Sequence, residues 1–570
     1  MKLNWLERLG DWNPQLMREL KGRLKPRNLL IAGTISLVGQ FLLLLLAQAQ
    51  LPNGIRIGGI DDQNKYCTGN LVEYSLPTCL QDTLGNFVIN WQLWWLELFV
   101  YLSVIGIFAL IVVGTYLLIS DLAHEERRGT LNFIRLSPQS PENILVGKLL
   151  GVPILLYLVA VLAVPLHLWA GIAAQISLIL ILSFYGVLIA ACFFFYSAAL
   201  LFGLVSSWLG GFQAWLGSGG VLILLCIASF KRIFNIPFDW LNLFSPSLII
   251  HYLIAATGLN PKLLLFSYLF IHDLQWFYLP VGVSTLIVVS LLALNYGLWT
   301  YWCWQALKRR FPNSTKAILS KQQSYLLVVC FQVMSLGFAL QWVFDDGGSP
   351  TNPGEPTLYF NFNCLLLLGT LLFLGLTVAL TPPYQSLQDW ARYGRKQGSS
   401  RKNFWNKALV QDLIWGEKSP AIVAIALNLI ITATFLAPWA MFGLEEQYKV
   451  PALLSLLISF NLILIYAAIA HLIVLRRTQK QIWVVGTLSA VVLLPTFIYG
   501  FLSFLAPQKM AGLALFTPFA WAAIESASTT TVFLSLLVQW GILTLLTLQI
   551  TRQLRKAGES TSIALFAANR

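Results

Sequence analysis

Apolar runs of about twenty residues recur along almost the whole chain, and nothing else in the sequence restricts the fold as strongly. A helix rises 1.5 Å per residue, so a run of that length matches the ~30 Å hydrocarbon core of a bilayer. Twelve runs are read as spans, at about 29–47, 93–119, 144–170, 176–206, 212–230, 277–305, 324–344, 359–381, 420–442, 450–475, 482–505 and 531–551. The expected fold is all-α: a polytopic membrane protein of about 12 transmembrane helices, with an N-terminal interfacial helix and short re-entrant segments. The length of 570 residues would by itself suggest several soluble domains, but a composition 57% hydrophobic and only 11% charged overrules that.

The charges fall as short clusters between the runs. The net charge of +13 is therefore not a nucleic-acid footprint. With the N-terminus in the cytoplasm, 30 of the 37 Lys and Arg residues lie inside, and the outside ones are Arg56, Lys65, Lys231, Arg232, Lys262, Lys449 and Lys509. The opposite orientation reverses that ratio, so both termini are expected to be cytoplasmic. The first run follows a charge-rich segment of 28 residues without a small-residue cleavage site, and it reads as a retained anchor.

The densest charge lies between the second and third runs, in S-D-L-A-H-E-E-R-R-G-T-L-N-F-I-R-L-S-P-Q-S-P-E-N-I-L-V-G-K-L-L-G at 120–151. Glu125, Glu126, Arg127 and Arg128 in succession cannot cross hydrocarbon, so this segment lies at one membrane face. Ser120 or Asp121 can cap a new short helix there, which Gly129 weakens and Ser137-Pro138 ends. E-E-R-R-G-T-L, then L-S-P, then G-K resembles the cytoplasmic loop of ABC-2-type ABC transporter permeases, with matches at Glu125, Arg127, Gly129, Thr130, Leu131, Pro138, Gly147 and Lys148. The plain alternative is a solvated loop whose arginines follow the positive-inside tendency. The resemblance implies docking of a cytoplasmic ABC ATPase dimer on a helix over 121–136. Glu125, Glu126, Arg127 and Arg128 would supply charged contacts there. Gly129 and Thr130 belong to the same docking segment, and Leu131, Phe133 and Ile134 would fill an apolar groove in the partner.

Residues 13–25 form an amphipathic helix, with Leu16, Leu20 and Leu24 on one side, Asn13 as cap and Pro14 in the first turn. Such a helix suits the headgroup plane and contact with membrane lipids; the resemblance makes it an "elbow" helix with Glu19 as its acidic residue. The outside loop 48–92 holds Cys67 and Cys79, as a disulfide or as two free thiols. Glu97, just past Trp94 and Trp95, is the acid within the assigned spans, and its shallow position lets it reach interfacial water. Apolar stretches of 10–12 residues within 231–276, including L-F-S-P at 243–246 and Asn260-Pro261, are short enough to be re-entrant.

A basic cluster at 308–316 divides the chain into residues 1–310, a six-span membrane domain, and residues 311–570, a second six-span module. Within 382–419 a second interfacial helix is expected from Trp405, Leu409 and Leu413. L-F-T-P at 515–518 echoes L-F-S-P, which suggests a diverged duplicate, yet the second half has no E-E-R-R-G-T-L string. The asymmetry favours an added module over a fused pair; a homodimer or a partner permease stays open.

No G-x-x-x-x-G-K-[ST] occurs, so ATP hydrolysis by a P-loop belongs to another subunit. Neither a metal site nor a cofactor is implied, and His167, His251 and His471 lie in apolar surroundings. The reading is a permease subunit of an ABC transporter, an exporter, in a bacterial plasma membrane, not itself an enzyme. Its rivals are an intramembrane transferase acting on lipid-linked substrates, with His471 and the basic cluster at 476–480, and a non-transporting scaffold.

Overall fold

The computed structural model describes residues 10–52, 63–69, 76–83, 86–230, 233–259, 274–314, 316–341, 343–344, 350–351, 355–398, 407–476, 481–505, 511–524 and 527–558. Trp405, the Asn260-Pro261 pair and most of the basic cluster at 476–480 lie outside them. The fold is all-α, and among the described residues eleven helices are long and apolar enough to cross a membrane. Extended pairing is confined, among the described residues, to a two-residue ladder of Val343–Phe344 with Pro350–Thr351 and to isolated bridges such as Cys67 with Ile89. The expected span at 324–344 is instead Lys321–Gly337, a helix of 17 residues. At 1.5 Å per residue it is ~26 Å long and falls short of the hydrocarbon thickness.

The chain forms two compact units. The first takes the described residues within 1–234, 241–274 and 280–304, and the second those within 235–240, 275–279 and 305–570. The division thus falls inside the helix Thr285–Arg310 rather than after it.

In the first unit the elements that matter are α1 (Pro14–Arg23), α2 (Pro26–Ala49), α3 (Trp91–Arg127), α4 (Thr130–Arg135), α5 (Pro141–Gly151), α6 (Ile154–Ala173) and α7 (Leu178–Val205). α3 packs on α6 and α7, α2 on α6, and α1 on α5. A single π turn at Ala109–Val113 interrupts α3. Tyr196 of α7 donates its hydroxyl to the Leu110 carbonyl there, at 2.7 Å, and a Cβ at Gly114 would fall on the Tyr196 ring. A π turn misaligns the helix ladder, and the tyrosine supplies the donor that the Leu110 carbonyl needs.

Two expectations change here. No new helix starts at Ser120 or Asp121, because α3 runs through both and stops only at Arg127. Continuing a helix adds one hydrogen bond per residue, whereas restarting one orphans four N–H groups, and nothing before Gly129 forces a break. Gly129 then takes φ 72°, the left-handed conformation that glycine adopts without strain. At 37 residues α3 is ~55 Å long, so its last turns stand clear of the hydrocarbon. The expected span at 144–170 is likewise two helices, α5 and α6, separated at Val152-Pro153. Proline has no N–H to continue the ladder, and the break leaves Lys148 outside the spanning segment.

On the other side of the bilayer Cys67 and Cys79 are joined as a disulfide. Glu97 does not reach water. It is buried, and Lys65 Nζ reaches its two carboxylate oxygens at 2.6 and 2.8 Å, while Tyr66 donates its hydroxyl to the same group. Burial, then the hydrogen bond to Glu97, raises the Tyr66 phenol well above the usual tyrosine value. These contacts pin the loop to α3. Replacing Glu97 with glutamine is expected to cost about 1–3 kcal/mol at this anchor, read as a several-fold faster reduction of the Cys67–Cys79 bond by a membrane-impermeant phosphine.

In the second unit Glu446–Leu475 is the central helix, packed by Glu355–Leu380, Ile422–Phe442, Gln481–Leu505 and Thr529–Ala557. Within 382–419 the described residues form Tyr384–Gly398 and then the short helix Lys407–Trp415. Lys321 Nζ donates to Leu413 O at 2.7 Å and Tyr325 donates to Ile414 O at 2.8 Å, which satisfies two of its terminal carbonyls.

Candidate functional site

The site is built where α1, α5 and the end of α3 meet. Asn13 caps α1 by accepting from Leu16 N at 2.9 Å, and its Nδ2 donates to Asn143 O at 2.7 Å on α5. Ser140 caps α5 by accepting from Asn143 N at 3.2 Å. Leu16 and Leu20 are buried, so the apolar stripe of α1 is spent on protein rather than on lipid. Two glycines allow the approach. A Cβ at Gly147 would lie 2.7 Å from Asn13 Oδ1 and 2.8 Å from Leu16 N, and one at Gly151 would lie 2.5 Å from Glu19 Cβ. Spaced four apart, they form a groove on one face of α5 into which α1 settles.

Lys148, between them in sequence, is fully buried at 0% exposure. Its Nζ lies 2.7 Å from Asp121 Oδ2, 2.7 Å from Glu125 Oε2 and 3.9 Å from Glu19 Oε1. Arg23 binds Asp121 Oδ1 at 2.7 Å and Glu19 Oε2 at 3.2 Å, and Arg18 binds Glu125 Oε1 at 2.6 Å. Gln15 Nε2 donates to Glu19 Oε1 at 3.0 Å. Glu19, Asp121 and Glu125 come within 4.8 Å of one another, close enough to hold a metal ion. The Lys148 ammonium already stands among them, and Arg18 and Arg23 balance the remaining charge. A buried ion is tolerated when it is paired and hydrogen-bonded; Lys148 is paired with Asp121 and Glu125 and donates a hydrogen bond to Asp121. Mechanically the network is a clamp that ties α1, α5 and the exit of α3 into one piece.

The sequence-predicted residues divide accordingly. Glu125 faces inward to Lys148 and Arg18. Leu131 and Ile134 are buried within this chain. Glu126, Arg127, Arg128, Gly129 and Thr130 are exposed, and Thr130 Oγ1 donates to Glu125 O at 3.2 Å. Phe133 is 80% exposed and Leu136, not among the expected contacts, 85%. Arg135 is half-buried; burial lowers its guanidinium pKa, and the Glu126 charge pulls the other way. Arg18 and Arg23 carried no expected role, and Asp121, expected as a helix cap, is instead an ion-pair partner of Lys148 and Arg23. The available signals were the i,i+4 spacings of Glu19 with Arg23 and of Asp121 with Glu125.

Two buried histidines bear on the rival chemistries. His471 accepts from Ala421 N at 3.0 Å through Nε2 and contacts Ala467 O at 2.9 Å through Nδ1, so backbone groups use both ring nitrogens. His167 lies 2.8 Å from Ser103 Oγ and 2.7 Å from the Tyr185 hydroxyl, beside an apolar cavity of about 500 Å³ lined by α3, α5, α6 and α7. Ser103 already donates to Phe99 O at 2.8 Å. The Ser103 hydroxyl is thus shared between the Phe99 carbonyl and the His167 ring.

No protein-family model, curated protein or solved structure matches this chain.

Proposed function

We propose that this chain is the membrane-spanning permease subunit of an ABC transporter, an exporter of a bacterial plasma membrane, driven by a separate cytoplasmic ATPase. The observation that carries the reading is the exposed pair Phe133, on α4, and Leu136, just past its end, beside Glu126, Arg127 and Arg128 at the clamped end of α3. Large apolar side chains rimmed by charge suit a protein contact better than they suit water, and such anchors carry most of the energy of an interface. Both termini and the α4 loop lie on the cytoplasmic side in this reading, as the Lys and Arg distribution favours. A push on α4 enters α3 directly and reaches α1 and α5 through Lys148, Asp121 and Glu19. From there it passes to α2 and α6, because only two residues separate Arg23 at the end of α1 from Pro26 at the start of α2, and two separate Gly151 at the end of α5 from Ile154 at the start of α6.

The test is whether an ABC ATPase co-purifies with this chain and binds the permease in nanodiscs. Phe133→Asp combined with Leu136→Asp is expected to weaken binding roughly thirty-fold or more, the factor for loss of about 2 kcal/mol at one anchor. Unchanged affinity in protein that elutes as a single species rejects the docking position. Glu125 is unsuited to this test, since its substitution breaks the clamp as well.

A further inference from the structure

We infer that the chain is a tandem duplication, residues 321–557 being a diverged copy of residues 26–310, and that each copy ends in the same latch. In each unit the tetrapeptide L-F-[ST]-P precedes the last spanning helix, Thr285–Arg310 in one and Thr529–Ala557 in the other. The local backbone is the same in both. Ser245 N donates to Asn242 O, as Thr517 N donates to Ala514 O; Leu248 N donates to Ser245 O, as Ala520 N donates to Thr517 O. The hydroxyl oxygen of each tetrapeptide accepts from the N–H two residues on, from Ser247 N at 3.3 Å and from Phe519 N at 3.2 Å.

A buried carboxamide then reaches each turn from the helix that follows. Asn295 Nδ2 donates to Leu243 O at 3.4 Å, and Gln539 Nε2 donates to Leu515 O at 3.0 Å, so the same position of the tetrapeptide is held. Each amide oxygen accepts in turn, from Trp299 Nε1 at 2.9 Å and from Asn461 Nδ2 at 3.2 Å. Asn295, Gln539, Leu243 and Leu515 are all fully buried. The two carboxamides occupy the same register, residue 295 in a helix starting at 285 and residue 539 in one starting at 529. Around them N-Y-G-L-W-T at 295–300 faces Q-W-G-I-L-T at 539–544: carboxamide, aromatic, glycine, aliphatic, a variable position, threonine. Element order agrees as well. In both units two short helices, Thr130–Arg135 with Pro141–Gly151 and Tyr384–Gly398 with Lys407–Trp415, separate the second long helix from the third. A four-residue match is weak evidence of a repeat; the same carbonyl, donor type, register and hydroxyl turn in both units is not. An unpaired carbonyl in an apolar interior is costly, which explains why a carboxamide stands in both copies where the surrounding sequence has diverged.

The test uses the full chain in nanodiscs, with Cys192, Cys226, Cys303, Cys330 and Cys364 replaced and one cysteine placed at Leu248 or at its counterpart Ala520, both buried. The rate of labelling by a membrane-impermeant maleimide is read. Asn295→Leu is expected to raise labelling at 248 about tenfold and leave 520 protected; Gln539→Leu is expected to do the reverse. The reciprocal swaps Asn295→Gln and Gln539→Asn are expected to keep both positions protected, because the carboxamide is retained. The undisturbed unit reports in each variant that the chain is folded. If neither turn opens, or if only one latch proves to matter, the shared device is overturned.

Discussion

Lys148→Met is expected to cost about 3–5 kcal/mol, the loss seen when one partner of a buried ion pair is removed. The cost comes from what is left behind rather than from the lysine itself. Asp121 and Glu125, with side chains 18% and 13% exposed, would keep their charges while facing each other across a space with no ammonium. Arg18 and Arg23 already hold Glu125 Oε1 and Asp121 Oδ1, so the oxygens that lose their partner are Glu125 Oε2 and Asp121 Oδ2. The measurement is the unfolding midpoint in a titration of detergent-solubilised protein with SDS. Adding Asp121→Asn and Glu125→Gln to Lys148→Met removes the stranded charges and should recover most of the loss. A Lys148→Met protein as stable as the parent would mean that the cluster is hydrated and that α1, α5 and α3 are held by packing alone.

The spans were legible because their length and unbroken apolarity have few competing interpretations. What stayed hidden was where helices stop, and what closes the gap between them. Glu125 and Lys148 were both visible as residues of a recognisable loop. Their direction was not, because it depends on whether α3 continues past Ser120, and the cost of restarting a helix decided that. The cap at Asn13 and the stripe of Leu16 and Leu20 could be read directly, yet the stripe fitted lipid as well as it fitted α5. Gly147 and Gly151 were the only local hint of a docked helix, and two glycines four apart have many uses. Glu97 was misread for the same reason: its partner Lys65 lies 32 residues earlier, in a loop whose path no periodicity reveals.

Gly147→Ala and Gly151→Ala are expected to detach α1, although alanine is the better helix former. In an open helix the exchange of glycine for alanine favours the helix by about 0.8–1 kcal/mol. At Gly147 the new carbon would meet the Asn13 side chain and the Leu16 backbone N, which has no rotamer through which to yield. At Gly151 it would meet Cβ and Cγ of Glu19, whose carboxylate Arg23 already holds and Lys148 approaches. Overpacking of that kind costs about 1–3 kcal/mol and should exceed the helix-propensity gain. Gly33 and Gly39 on α2 have nothing within 4 Å of an added Cβ, so alanine there is expected to be neutral or mildly stabilising. Amide hydrogen exchange over residues 14–23 separates the cases: protection should fall roughly tenfold in the α5 variants and stay unchanged in the α2 variants. The Gly147→Ala, Gly151→Ala double variant should also weaken the ATPase contact at Phe133, because an unclamped α3 end presents α4 in many orientations instead of one. Lost protection with undiminished binding would separate the clamp from the docking helix, and α4 would then act through α3 alone.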